Sequence, residues 1–170
     1  PGGGQPPPDR RHCTVDLASG GNVRCHHTFT EVIAYATGGR IADAPHSAAA
    51  AMADAEFHRR LNALPHAKSR SAGQKAGVVL SVEFEHDQYN GRSTTFFADH
   101  GCDGDADVDS VLPAITRWWI DTIISFQTYV ECQANHFEHS NYGGARTGPL
   151  DSTRNIGPTM NDRTSSIQWS

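Results

Sequence analysis

No stretch of this chain approaches the roughly 18 consecutive apolar residues that a membrane-crossing helix requires, so no membrane insertion is expected. Charge of one sign is not concentrated either. Fourteen Lys and Arg against nineteen Asp and Glu give a formal net charge of -5 without a basic stripe, which argues against nucleic acid as a partner. The linear signatures of common chemistry are missing as well. There is no G-x-S-x-G, no P-loop, no dinucleotide fingerprint and no reactive Cys beside a His-bearing segment. No catalytic residue is therefore assigned, and the chain reads as non-enzymatic. The ten histidines include His26-His27 and the pair His136/His139, but none stands in an HExxH or Cys/His ligand spacing. Adjacent residues on a strand face opposite ways, so His26 and His27 would not chelate one ion together.

What is present begins with PGGGQPPPDRRH, too rich in Pro and Gly to fold and too polar for a signal peptide. It reads as a processed N-terminus left by export, and the expected localisation is secreted, extracellular. The four cysteines agree, being even in number and without a CxxC pair. Three connectivities are possible. Cys13 and Cys25 bracket a hairpin-like segment, and Cys102 and Cys132 both lie in the later part of the chain, so the pairs 13–25 and 102–132 are favoured.

Weak alternation around Ser19-Gly20-Gly21 predicts a small hairpin. A helix follows, with Thr28 and Glu31 at capping-box spacing, Phe29, Val32, Ile33 and Ala36 on one face, and Gly38-Gly39 as its stop. Ser47 caps an Ala-rich run, and a second helical stretch from Asp54 to Leu64 carries Phe57, Leu61 and Leu64 at helical spacing before Pro65. The polar segment His66 to Gly77 reads as a linker. From Val78 the period becomes two. Leu80, Val82 and Phe84 point one way and Ser81, Glu83 and Glu85 the other, which predicts a half-buried strand with its polar side in water. Further strands are expected at Ser93–Ala98, Ile123–Thr128, Ala134–Glu138 and Ser166–Trp169. The fold class is therefore α+β: a disordered start (1–12), a hairpin, two-helix and linker region (13–77), and an antiparallel Greek-key β domain (78–170).

The strongest internal signal is a repeat. FEHDQYNGR, from Phe84, returns as FEHSNYGGA, from Phe137. Each copy places a Gly two residues beyond a Tyr, where positive φ lets a hairpin fold one ring over another. Each copy is trailed by a related element, IDTIISF at Ile120 and NDRTSSI at Asn161. Phe-Glu-His-x-x-Tyr-x-Gly followed by Asn-Asp-Arg-Thr-Ser-Ser resembles the microbial βγ-crystallins of secreted actinobacterial proteins, over about Val78 to Ser170. The resemblance implies two Greek-key motifs packed as a sandwich, and NDRTSS looks like the family's calcium signature, (Asn/Asp)-(Asn/Asp)-x-x-(Ser/Thr)-Ser.

Calcium seeks six to eight oxygen ligands at about 2.3–2.6 Å, which Asn, Asp, Ser and backbone carbonyls supply. The resemblance assigns Asn161, Asp162 and Ser165 as side-chain ligands, Arg163 as a carbonyl donor, Asp121 as the surviving acid of the first arch, and the Glu85 and Glu138 backbones as hairpin donors. The first arch departs from the signature, with Ile120 and Ile124 where oxygen ligands belong. One or two Ca²⁺ ions are expected, with one site degraded. Arch residues also hydrogen-bond the hairpin turn where no metal binds, so a scaffold role stands beside the calcium role.

DGDADVDS, from Asp103, lacks the Gly and the terminal Glu of an EF-hand and reads as an acidic surface loop. Trp118-Trp119 read as core; exposed, they would form an adhesive patch. The expected job is a secreted calcium-binding protein whose fold calcium stabilises. The alternatives are an extracellular protease inhibitor using the Cys102-bounded acidic loop, a killer-toxin-like antimicrobial protein, or a cell-wall or glycan-binding module using the Trp pair. The partner is thus an unknown extracellular protein or glycan.

Overall fold

The computed structural model describes residues 12–64, 77–115, 119 and 122–170. The Pro/Gly-rich start and the linker fall almost wholly outside the described residues, as do Asp121, Ile120 and Trp118.

The N-terminal third follows its local signals. Strands β1 (His12–Asp16) and β2 (Asn22–His26) pair antiparallel around a turn held by Gly21 N–H donating to Asp16 O at 2.8 Å. A disulfide joins Cys13 to Cys25 across this hairpin. Helix α1 (Phe29–Ala36) starts where Thr28 Oγ1 accepts from the Glu31 N–H at 3.1 Å. The Glu31 carboxylate reaches back to the His27 N–H, so the capping box closes one residue earlier than its usual reciprocal bond. The helix stops as Gly39 N–H returns to Ala34 O at 2.8 Å. The Ala-rich run and the stretch after it are separate helices, α2 (Ala48–Met52) and α3 (Ala55–Ala63), so the described residues of this region hold three α-helices. The break is chemical, because Asp54 turns its carboxylate onto the N–H groups of Glu56 and Phe57 and starts a new helix.

The β domain is built twice. In sheet A, β4 (Asn90–Ala98) pairs β3 (Val78–His86), which pairs β6 (Ser125–Thr128), which pairs β9 (Ser152–Thr153). Sheet B repeats the order with β8 (Gly143–Arg146), β7 (Ala134–His139), β10 (Ser166–Trp169) and β5 (Ser110–Leu112). Each half sends its third strand to the other half's sheet: β5 joins β10, and β9 joins β6. This reciprocal exchange makes two interlocked Greek keys. Short β5, β8 and β9 carry almost no period-two signal, which is why the sequence does not reveal them.

The N-terminal hairpin is continuous with this sandwich. β1 runs parallel to β4, His12 opposite Ser93 and Asp16 opposite Phe97, which extends sheet A to six strands. The helices cover the outer face of that sheet. Phe29 and Phe57 meet edge-on at 5.8 Å, Tyr35 of α1 meets Phe97 of β4 at 5.9 Å, and one apolar core runs through both regions. Asn62 of α3 accepts the Val130 N–H at 2.8 Å, and a second disulfide joins Cys102 to Cys132 just beside it.

This double cover corrects the expectation for β3. Its alternation is real, but the strand is buried on both sides, with Ser81 and Glu83 at 0% exposure. The polar side faces sheet B. Glu83 Oε2 meets His136 Nε2 of β7 at 2.8 Å, both side chains at 0% exposure. Ser81 Oγ donates to Glu83 Oε1 at 2.8 Å and accepts the Trp169 indole N–H at 3.0 Å. The His136 ring lies 4.3 Å from that of Phe126.

A single core predicts a single transition. Phe29→Ala in α1, at a wholly buried position, should cost about 3–5 kcal/mol. Urea unfolding followed by Trp169 fluorescence and by helical circular dichroism should give coincident curves at the lower midpoint. Separate transitions for helix and sandwich would contradict continuity.

Candidate functional site

The two repeats fold into matching hairpins. After β3, the turn Asp87–Tyr89 places Gln88 and Tyr89 at φ 56° and 61°; after β7, Ser140–Tyr142 places Asn141 and Tyr142 at 57° and 63°. The rings close as the spacing predicts, Phe84 on Tyr89 at 5.7 Å and Phe137 on Tyr142 at 5.6 Å. Gly91 and Gly144 sit at φ 83° and 77°. A Cβ on Gly91 would lie 2.6 Å from both Glu85 Cγ and His86 Cδ2, and one on Gly144 would lie 2.7 Å from His139 Cδ2. Both His86 and His139 are therefore packing elements of the hairpin.

Each arch is clamped to its hairpin by its last Ser. Ser125 Oγ donates to His86 O at 2.6 Å and accepts Tyr89 N–H at 3.1 Å; Ser166 Oγ donates to His139 O at 2.7 Å and accepts Tyr142 N–H at 3.0 Å. The preceding residue binds too, Ile124 N–H to Phe84 O and Ser165 N–H to Phe137 O, at 2.9 and 2.8 Å. The halves then cross-bond, with Ile156 N–H on Ile124 O and Ile115 N–H on Ser165 O. Two backbone bonds at the hairpin tips complete the pseudo-two-fold, Gln88 N–H to Arg154 O and Asn141 N–H to Pro113 O.

Within the second arch, Asn161 Oδ1 and Thr164 Oγ1 are buried without a hydrogen-bond partner. Asp162 is exposed at φ 54°, and Arg163 places Nη1 3.7 Å from Glu138 Oε1. Ser165 is buried, with its N–H and C=O committed to the bonds above. The arch thus brings Asn161, Asp162, Arg163 and Ser165 onto the hairpin that carries Glu138. Glu85 belongs to the other hairpin, and Asp121 lies outside the described residues. Thr164, which the signature leaves as a free position, is the oxygen that sequence reasoning passes over. In the first arch the matching positions are Ile123, wholly buried, and Ile124.

Glu85 and Glu138 occupy register shifts of their strands, between Phe84 and His86 and between Phe137 and His139. Their carboxylates cap the hairpins from within, Glu85 Oε1 accepting Arg92 N–H and Glu138 Oε2 accepting Ala145 N–H, each at 3.1 Å. Among the described residues no three His, Cys, Asp or Glu side chains gather as a metal-ligand group. Trp119 is 2% exposed and packs as core, which removes it from an adhesive surface.

No family model and no curated protein matches the chain. Solved structures do. The chain is similar to a βγ-crystallin domain from Flavobacterium johnsoniae, at 22% identity over 54% of this chain and 93% of that one, with a TM-score of 0.40. It is similar to a βγ-crystallin domain from Clostridium beijerinckii, at 18% identity over 53% and 95%, with a TM-score of 0.37. The N-terminal domain of protein S gives 14% identity over 54% and 94%, and 0.40.

The Glu85 carboxyl predicts a pH dependence. Burial alone would raise its pKa, but hydrogen bonds from the Arg92 N–H and guanidinium, the latter at 2.6 Å, hold it below the ordinary 4.5. A carboxyl depressed on folding adds stability that is full above its unfolded pKa and is lost as pH falls through its folded pKa. Arg92→Met should therefore move the acid-unfolding midpoint to higher pH, read by circular dichroism between pH 5 and pH 2. An unchanged acid limb would show that the pair contributes nothing.

Proposed function

We propose that the chain is an extracellular, non-enzymatic calcium-binding protein of βγ-crystallin type, in which the second arch holds the ion and the first arch is degraded. The observation that carries this reading is the pair of buried, unpartnered oxygens, Asn161 Oδ1 and Thr164 Oγ1, in the arch that matches the signature. Leaving a buried acceptor unsatisfied costs about 1–3 kcal/mol, and a cation taking both oxygens would recover it.

Asn161, Asp162 and Ser165 would hold Ca²⁺ with their side chains, Thr164 as an added hydroxyl, and Arg163 and Glu138 through backbone carbonyls. Bound Ca²⁺ supplies electrostatic cross-linking of the arch and nothing reactive. Because these oxygens converge only in the folded chain, the ion stabilises by mass action, about 2.7 kcal/mol at a concentration 100 times Kd. Ile124 in place of a hydroxyl-bearing residue leaves the first arch short of a ligand, which favours one ion over two. Two disulfides in the structure suit an oxidising compartment, in support of an extracellular setting. Among the described residues, the linked Ser81, Glu83 and His136 side chains are sealed in the core, where no substrate reaches them; this supports the non-enzymatic reading.

Calorimetric titration of EDTA-stripped protein should give close to one ion per chain with a raised Tm, and Asn161→Ala should abolish both while leaving the apo fold intact by circular dichroism. Absence of heat and of any Tm shift up to millimolar calcium would leave the arches as scaffold alone.

A further inference from the structure

A second site lies at the opposite margin of the sandwich from the hairpin tips. A groove of about 390 Å³ opens between the turn Leu17–Ser19, the end of β4 and the segment that leads into β5. Leu17, Ala18, Ala98, Val108 and Val111 form its apolar walls, and Asp99, His100, Asp109 and Ser110 complete the lining. Val108 and Val111 are 48% and 43% exposed.

The walls are fixed before any ligand arrives. Cys102 is tied by its disulfide to Cys132 and by its N–H to Val130 O at 3.1 Å. Asp109 N–H is bonded to Trp169 O at 2.8 Å, which pins the far wall to the last strand of sheet B. Between them, the Asp103 and Asp105 carboxylates fold back on the Asp105 and Asp107 N–H groups. Asp109 lines the groove, and its Oδ2, turned away from water, has no hydrogen-bond partner among the described residues, so the carboxylate is incompletely satisfied. From Ser93 to Ile115 the chain contains no Lys or Arg, while Asp99, Asp103, Asp105, Asp107 and Asp109 all fall within it. A pocket that joins an apolar trough to an unanswered carboxylate fits a long aliphatic stem ending in a cationic donor, because such side chains bury the stem and direct the charged head to the acid.

We propose that this groove binds an arginine side chain presented by a partner protein. Its methylenes lie on Val108, Val111, Leu17 and Ala98, and its guanidinium donates to the Asp109 carboxylate, with Asp99 also in the lining. Arginine is favoured over lysine because its planar fork can serve both carboxylates at once. The site is independent of the calcium arch and stands whether or not that arch binds an ion.

The probe is N-acetyl-arginine methylamide titrated into ¹⁵N-labelled full chain and followed by amide shifts. Saturable shifts at Ala18, Asp99, Asp109 and Val111 are expected, with N-acetyl-norleucine methylamide producing less than a tenth of the effect at equal concentration. Asp109→Asn should weaken binding at least tenfold. Ala18→Trp, an exposed substitution that fills the groove and leaves the core untouched, should abolish it, which keeps the test decisive if the Asp109 variant folds poorly. Shifts confined to residues 103–107, equal shifts from the neutral probe, or saturation of the groove by Ca²⁺ in place of the arginine probe would each overturn the assignment.

Discussion

The contact between Glu83 and His136 is the point about which the two halves are arranged. These residues hold the same place in the repeat, immediately before Phe84 and Phe137, and they meet across the sheet interface with no exposure to water. A buried hydrogen-bonded pair adds little net stability, because desolvation offsets most of the attraction, but removing one member strands the other. Its structural effect is on register. A one-residue slip of β3 or β7 would turn the polar group outward and bring Phe84 or Phe137 into its place. With Ser81 bonded to the same carboxylate and the Trp169 indole bonded in turn to the Ser81 hydroxyl, the network ties both sheets to one alignment.

From that alignment the remaining asymmetry follows. Sheet A carries Leu80, Val82 and Phe84 on the face away from its partner, and this face needs a cover. Helices α1 to α3 supply it, while β1 lengthens the sheet at its edge. Phe137 and Met160 of the other half are buried yet stand outside the main core cluster.

Local chemistry was legible from the sequence and non-local pairing was not. Thr28, Ser47 and Asp54 each announce a helix start, and each caps one. The Tyr-x-Gly spacing announced the folded hairpins, and the ring contacts and positive φ values agree. The parallel pairing of β1 with β4 has no local signature, since it joins segments far apart in the chain. Glu83 misled for a related reason. Alternation reports that two faces differ but does not say which meets water, and here both are covered. In the arch, Asn161 was readable from its place in the signature, whereas the burial of Thr164 depended on how the turn lies on its hairpin.

The central claim is that Glu83 and His136 act as one unit that aligns the two motifs. A double-mutant cycle tests it directly, with Glu83→Leu, His136→Leu and the pair together, each unfolded in urea. Each single change should cost about 1–3 kcal/mol, because it leaves a buried polar group unpaired. The double change should cost far less than their sum, with a coupling of about 2 kcal/mol or more. Additive single costs would mean that the two residues do not depend on each other, and would contradict the account.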